Sequence, residues 1–477
     1  HIPMAEFIVA IELGSSKITG IAGRKNTDGS ISVLAIAQEN GETCIRNGVV
    51  RNIEKTVQAL SNIIKKLEAT LKTRITHVYV GFGGQSIIGV KNTNVRELST
   101  ESEVTQDMIN ELMDANRSMQ YPDQQILDAV TLEYKVDNQY QAEPPVGVPC
   151  KRLEGNFLNI LCRREFYRRL KKCFDQANIS ILDMYISPLA LADSVLTDSE
   201  KRGGCALVDL GADTTTVSIF HRNILRKLSV IPLGSANITK DIASLQIEDG
   251  DAERLKLKYA SAFTDGNDID QARHYAIDSD RFIEMSKFVD IVEARTREII
   301  ENVKSLIPDE YSEKLLGGII LTGGGSNMNN IERAFRLYTH IEKIRTAKFV
   351  NDTIKSTNPL VNAKDGRLCT VLAILAKGDQ NCAGSDIASS LFEGIQTTQQ
   401  GQATPTAQAT SAKATNGRII DDAAKEKTQD NAKADDNGRV KVESSTRNEQ
   451  NDKPKQPHKL LNKFKVLFRK ITSPDEE

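Results

Sequence analysis

Apolar residues run in short blocks along this chain, and their period changes from block to block. Phe7-Ile8-Val9-Ala10-Ile11 is a continuous apolar run ending on Glu12-Leu13-Gly14, and Ile18, Ile21 and Ala22 resume it after Ser15-Ser16-Lys17. This pattern predicts two buried strands joined by a tight turn. Ile31–Ile36 predicts a further strand. From Asn52 to Leu67 apolar residues recur at helical spacing, and His77–Gly81 reads as a buried strand with His77 at its edge.

The texture changes between Gln85 and Gly155. A strand at Ile87–Val90, a helix after Thr105, a strand at Gln125–Val130 and the loop Glu143–Pro149 predict a small inserted αβ unit. Asn156–Leu161 is expected to resume the parent lobe. A basic helix (Arg164–Ala177), a strand near Ile181 and a linking helix opening at Ser187-Pro188 follow. The cations of the basic helix read first as a solvated face, with anion or nucleic-acid contact the lesser alternative.

The first pattern then recurs. Leu207-Val208-Asp209-Leu210-Gly211-Ala212-Asp213-Thr214-Thr215-Thr216-Val217 again gives apolar strand, acid, glycine, small hydroxyl residues and strand. Alone it would pass for an ordinary hairpin. Two copies roughly 200 residues apart imply two similar lobes facing each other. Backbone amides and hydroxyls in such turns can hold phosphate, and Asp209 ends its strand where a carboxylate can meet a magnesium ion or its water. A third element, Gly318–Thr322 followed by Gly323-Gly324-Gly325-Ser326, is an apolar strand ending where backbone can approach a ligand closely. A helical stretch from Leu233 to Lys314 lies between the second and third elements. Leu368–Ala376 is expected to close the second lobe.

Composition narrows the picture. The 477 residues exceed one domain, and a net charge of −2 gives no sign of a nucleic-acid partner. Seven cysteines, scattered and without C-x-x-C spacing, favour reduced thiols over disulfides or zinc. No apolar run reaches transmembrane length and no secretory signal is evident; His1-Ile2-Pro3 before Met4 reads as a cloning scar. From Ser385 to His458 the chain is rich in Gln, Thr, Ala, Asn, Asp and Lys. It is expected to be a disordered linker, whose coil of about 70 residues would reach roughly 45 Å. In the final segment Leu460, Leu461, Phe464, Leu467, Phe468 and Ile471 share one helical face, with Lys463, Arg469 and Lys470 among the cations beside it. This amphipathic pattern predicts a helix on an anionic membrane surface, with docking on the protein's own core or on a calmodulin-type partner as alternatives.

In order, the three glycine-bearing elements resemble the phosphate-1, phosphate-2 and adenosine motifs of the actin/Hsp70/sugar-kinase ATPase superfamily. With the inserted unit, the linker and the terminal helix, the whole resembles FtsA, the bacterial division actin, over Met4–Leu375 and the last segment. Glu143–Val148 is similar to the family's Asp-Pro-x-Gly-Met stretch, with Val148 in place of Met. The resemblance implies an α/β, actin-like two-lobed fold of duplicated ribonuclease H-like domains. Its parts would be subdomain 1A at 4–84 and 156–201, 1C at 85–155, 2A at 202–232 and 315–384, 2B at 233–314, a linker at 385–458 and a membrane helix at 459–472.

It further implies that ATP and Mg2+ bind between the lobes. Gly14, Ser15, Ser16 and Lys17 would line the phosphates from one side, and Gly211, Asp213, Thr214 and Thr215 from the other. Gly323, Gly324, Gly325 and Ser326 would receive the adenosine, and Asp209 would position magnesium-bound water. Glu253 and Lys256 resemble the superfamily's ribose-binding Glu-x-x-Lys; a surface ion pair is the plain alternative. Lys287, Arg295 and Glu298 resemble a set that grips the C-terminal tail of FtsZ, again against a solvated charged face.

There are departures. Glu12 stands where the superfamily usually has Asp, Ala212 and Asp213 replace glycines and could bring a charge near the phosphates, and Ser187-Pro188 replaces a catalytic Glu or Gln. Hydrolysis is therefore expected to be slow or absent. The implied role is a self-polymerising adaptor between FtsZ, other division proteins and the cytoplasmic face of the cell membrane at the division site. A sugar kinase or phosphatase, an Hsp70-like ATPase and a pilus-assembly actin homologue are the alternatives of other classes.

Overall fold

The computed structural model describes residues 6–384 and 417–419. The chain opens with β1 (Ile8–Leu13), β2 (Lys17–Lys25) and β3 (Ile31–Asn40), then the two-residue strands β4 (Ile45–Arg46) and β5 (Val49–Val50), helix α1 (Ile53–Leu71) and β6 (His77–Phe82). Asn52 caps α1 by accepting the Lys55 amide, at 2.9 Å. The insertion comprises β7 (Ile88–Glu103), α2 (Gln106–Arg117), β8 (Gln124–Val136), β9 (Gln139–Gln141) and β10 (Pro149–Arg163). Thr105 caps α2 through the Met108 amide. Next come α3 (Arg164–Gln176), β11 (Ser180–Ile186), α4 (Ser187–Val195) and α5 (Asp198–Gly203).

The second half repeats the opening with β12 (Cys205–Leu210), β13 (Thr215–His221) and β14 (Ile224–Ile231). Helices α6 (Ser235–Ala243) and α7 (Asp249–Tyr259), strands β15 (His274–Ala276) and β16 (Phe282–Glu284), and helices α8 (Met285–Leu306) and α9 (Asp309–Ser312) are inserted. The chain continues through β17 (Gly318–Thr322), α10 (Ile331–Thr339), β18 (Ile344–Thr346), β19 (Ile354–Lys355), α11 (Pro359–Asn362) and α12 (Cys369–Lys377).

The duplication expected from the two hairpins is visible strand by strand. The first sheet has the order β11-β6-β1-β2-β3-β19, and the second contains β18-β17-β12-β13-β14. In each, the hairpin is antiparallel and its first strand also pairs in parallel with a strand from farther along the chain. Glu12 lies opposite Thr19 and Gly81, and Asp209 lies opposite Thr216 and Thr322. The two acids therefore hold the same place in the two sheets.

Three features depart from the expectation. First, β10 runs unbroken past Asn156 and pairs with both β7 and β8 to Leu161, so Asn156–Leu161 stays in the insertion's sheet. That sheet joins the second lobe, β7 meeting β14 at Ser229↔Ile88. Second, Leu368–Ala376 does not close the second lobe. Helix α12 packs on the first sheet, where an added Cβ at Gly23 would lie 2.9 Å from Leu375 and one at Gly81 would lie 2.1 Å from Ile374. The Cys382 amide then donates to the Phe7 carbonyl (2.8 Å), and the Tyr79 hydroxyl to Asp379 (3.0 Å). A helix apolar on all sides is buried, but its sequence does not say against which sheet. Third, within the residues expected as linker, Gly417–Ile419 are described and lie against β11. The terminal membrane segment, including Leu460, Leu461, Lys463, Phe464, Leu467, Phe468, Arg469, Lys470 and Ile471, falls outside the described residues.

Among the described residues no helix is long and apolar enough to cross a membrane. The largest core surrounds the first sheet and α12, a second packs α10 and the later half of α8 on β12 and β17, and a third joins α6, α7 and the first half of α8.

Candidate functional site

The two glycine turns have the same geometry. The Gly14 amide donates to the Lys17 carbonyl (3.0 Å) and the Gly211 amide to the Thr214 carbonyl (2.9 Å). An added Cβ would sit 2.6 Å from Lys17 O at Gly14, and 2.9 Å from Thr214 O at Gly211. Each position needs glycine because a carbonyl crowds it.

A hairpin turn from the first lobe ties the two together. Asn47 and Gly48, both at positive φ, join β4 to β5. The Gly48 amide donates to Ser15 Oγ (3.0 Å), and the Asn47 amide donates to Asp213 Oδ2 (3.0 Å) across the cleft. Neighbouring amides thus hold one turn of each lobe. Asn-Gly flanked by Ile45 and Val50 is a type I′ hairpin signal that would have located this loop from sequence.

Several expected ligand residues turn elsewhere. Asp213 is buried and engaged by the Asn47 amide, so its carboxylate is occupied rather than facing a phosphate. Thr215 is fully buried and its hydroxyl donates to the Leu233 carbonyl (2.9 Å). Ser326 is buried and its hydroxyl donates to the Gly323 carbonyl (2.6 Å), closing the glycine triplet on itself. Ser16 and Lys17 are exposed at the tip of the first turn, and Thr214 is half-buried at the second.

The glycine triplet packs directly on Asp209 and Leu210. Gly323 has φ +84, and an added Cβ would lie 2.4 Å from Asp209 Oδ1 and 2.6 Å from Leu210 O. At Gly325 the same atom would lie 2.9 Å from Leu210 Cβ. Gly324 meets only the Arg367 side chain, at 3.4 Å.

Glu12 and Asp209 converge at the cleft floor. Burial, with the nearby Asp209 charge added, pushes Glu12 up to about 8. Burial alone raises Asp209 to about 6. Glu12 is mostly protonated at neutral pH when no cation is near. Among the described residues no group of three His, Cys, Asp or Glu side chains could hold a metal. Two carboxylates with open ligand positions suit Mg2+, which keeps waters and takes its other ligands from phosphate oxygens. Ser187, the first residue of α4, sets its hydroxyl against Gly81, the residue opposite Glu12, and supplies no carboxylate there.

Glu253 and Lys256 do form an ion pair on α7, at 2.9 Å. Lys256 is almost buried and also donates to the Ser235 carbonyl (3.3 Å), while the Thr239 hydroxyl donates to Glu253. Helix α6, which carries Ser235, is stitched to the second turn by the Ser235 amide on Gly211 O (3.0 Å). The pair stands just behind that turn.

On α8 the set Lys287, Arg295 and Glu298 is split. Lys287 is exposed. Arg295 grips Asp241 of α6 with two nitrogens (2.6 and 3.0 Å) and Glu298 with a third (2.8 Å). The expected free cation is committed to the protein's own carboxylates. Removing it would strand the buried Asp241, so Arg295→Ala should lower unfolding stability by about 2 kcal/mol. Denaturant titration would show this, and Asp241→Ala added to that variant should cost little more. Equal, additive losses would mean that the pair is not coupled.

Comparison with known proteins places this geometry. A family model described as Cell division protein FtsA matches residues 206–373, and the model of the SHS2 domain inserted in FTSA matches residues 84–161. A cell division protein FtsA from Porphyromonas gingivalis is 31% identical over 364 residues, covering 75% of this chain and 75% of that protein. One from Neisseria meningitidis is 31% identical over 335 residues, covering 68% and 80%. One from Pseudomonas aeruginosa is 28% identical over 395 residues, covering 80% and 94%. Among solved structures, the PilM-PilN type IV pilus biogenesis complex matches with a TM-score of 0.56 at 14% identity, covering 79% of this chain and 99% of that one. That likeness speaks to the actin-like fold alone.

Proposed function

This chain belongs to the FtsA family of cell division proteins, and on that premise we propose that it is an ATP-binding, self-polymerising adaptor that holds FtsZ filaments to the cytoplasmic face of the cell membrane at the division site. The reading is carried by the convergence of the two acid-and-glycine hairpins with the Gly323 bend at one cleft floor. The triphosphate would lie between the backbone of Gly14–Lys17 and that of Gly211–Thr214. The adenosine would sit toward Gly323–Gly325, with the ribose toward Glu253 and Lys256. Glu12 and Asp209 would hold Mg2+, Asp209 through water, and the ion would neutralise phosphate charge. Binding between the lobes favours their closed arrangement, in which the Asn47-Gly48 turn spans both. With a serine hydroxyl at position 187 in place of a carboxylate base, turnover is slow and ATP acts chiefly as a structural ligand.

The membrane contact is assigned to residues 459–472, whose apolar face and cations suit anionic lipid. Each cation near such a surface contributes on the order of 1 kcal/mol, so one copy binds reversibly and an array binds firmly. The FtsZ tail is assigned to the α8 face around Lys287, with Arg295, paired to Glu298 on its own helix, keeping α8 seated on α6. Other division proteins complete the partner set.

A vesicle-pelleting assay tests the whole reading. The full chain with ATP and Mg2+ should sediment with phosphatidylglycerol vesicles and carry a labelled FtsZ tail peptide down with it. Removal of residues 459–477 should abolish sedimentation. Undiminished pelleting of the shortened chain would reject the tether, and a peptide left in the supernatant would reject the FtsZ assignment.

A further inference from the structure

The first sheet ends on β11, and an end strand presents unpaired backbone groups to any extended peptide that fits. We propose that Gly417–Ile419 is a docking strand that occupies this edge in the same molecule, anchoring the chain beyond the core a second time before it reaches the C-terminal segment.

Four observations of different kinds support it. The Ile186 amide donates to the Gly417 carbonyl (2.8 Å) and the Ile419 amide to the Met184 carbonyl (3.0 Å), flanking the antiparallel pair Tyr185↔Arg418. Arg418 Nε lies 2.7 Å from Asp183 Oδ2. Ile419 is 6% exposed and joins the core around the first sheet. Gly417 has φ +69, and an added Cβ would lie 2.9 Å from Leu189 Cβ on α4, so both its conformation and its closeness demand glycine.

The surrounding sequence isolates the same residues. Between Gln396 and Arg439, Ile419 and Ile420 are the sole residues that are aliphatic beyond alanine or aromatic. Backbone pairing supplies general affinity, and the arginine, the isoleucine and the glycine supply selectivity for this tripeptide. The occupant is the chain's own segment because both ends of the connection, Gly384 and Gly417, rest on one lobe. Gly384 lies beside Arg74 and Thr76, just ahead of β6, whereas Gly417 meets Ile186 at the far end of β11.

Docking changes what can be reached from the core. At about 3.4 Å per residue, the stretch from Gly384 to Lys459 spans at most about 250 Å, and the stretch from Ile419 to Lys459 at most about 140 Å. The docked strand thus halves the maximum reach of the C-terminal segment. This consequence for the membrane rests on the tether reading, but the docking itself does not.

Hydrogen exchange on the full chain, followed by mass spectrometry of peptides covering Ile186 and Ile419, tests the docking without lipid or nucleotide. In the native sequence both amides should be protected, and dilution over a hundredfold range of protein concentration should leave that protection unchanged. Gly417→Val and, separately, Ile419→Asp should each speed exchange at Ile186 about tenfold or more while leaving the protection of β1 and β12 intact. Ile186 exchanging as fast in the native chain as in both variants would overturn the proposal. Protection that fades on dilution would also overturn it, by assigning the strand to a second copy. Because no vesicle is present, failure here leaves the membrane assignment standing, and the pelleting assay leaves this one standing.

Discussion

Gly323→Val is expected to abolish ATP binding and to lower unfolding stability by about 2–4 kcal/mol, the sum of left-handed backbone strain and overpacking. The reason is local and severe. The new Cβ would fall 2.4 Å from Asp209 Oδ1 and 2.6 Å from the Leu210 carbonyl, at a φ of +84. Strand β17 cannot retreat, because it is paired with β12 through Asp209↔Thr322 and lies fully buried. The valine must displace Asp209 or the bend itself, which are the two parts assigned to the metal and the adenosine. Gly266→Ala is the control, since no atom lies within 4 Å of its added Cβ and it stands outside the assigned site. Fluorescent-nucleotide titration and thermal unfolding of the two variants decide the matter. Equal behaviour of the two would show that the bend does not carry the site.

A second large effect should appear as pH dependence. Glu12 titrates at about 8 in the folded chain against an ordinary 4.5, and Asp209 at about 6 against 3.8. Both folded values are raised, so the folded state binds more protons than the unfolded chain between the two values of each group. Stability then falls as pH rises, through pH 3.8–6 for Asp209 and pH 4.5–8 for Glu12. Glu12→Gln keeps the shape and removes the titration. It should raise the stability of the ligand-free protein at pH 8 by on the order of a few kcal/mol and leave it nearly unchanged at pH 4.5. Unfolding midpoints across pH 4.5–8.5 would show parallel curves for the two proteins if this account were wrong. A bound divalent cation reverses the preference for the neutral acid, so magnesium with ATP is expected to flatten the native curve as well.

Both effects arise in segments whose character is plain from the order of their residues. The paired hairpins are legible because strand, acid and crowded glycine turn are contiguous, and the Asn52 and Thr105 caps stand directly before their helices. Pairing at a distance is what residue order conceals. Arg295 is a cation at helical spacing until Asp241, from another helix, claims it. Thr215, Ser326 and Asp213 belong to the right motifs, yet each side chain is taken by a neighbouring backbone group, a choice that depends on the fold around it. Helix α12 and the continuous β10 escape sequence reasoning for a related reason: apolarity specifies burial and leaves the covering surface open.

The inserted sheet leaves the first lobe after β6 yet is annealed to the second at Ser229↔Ile88, with Arg226 and Glu133 bridged at 3.0 Å beside that seam. The two halves are consequently joined by sheet hydrogen bonding as well as by the chain itself. Relative movement of the lobes has to flex or break this rung, so the inserted strands are bonded to the half that does not encode them.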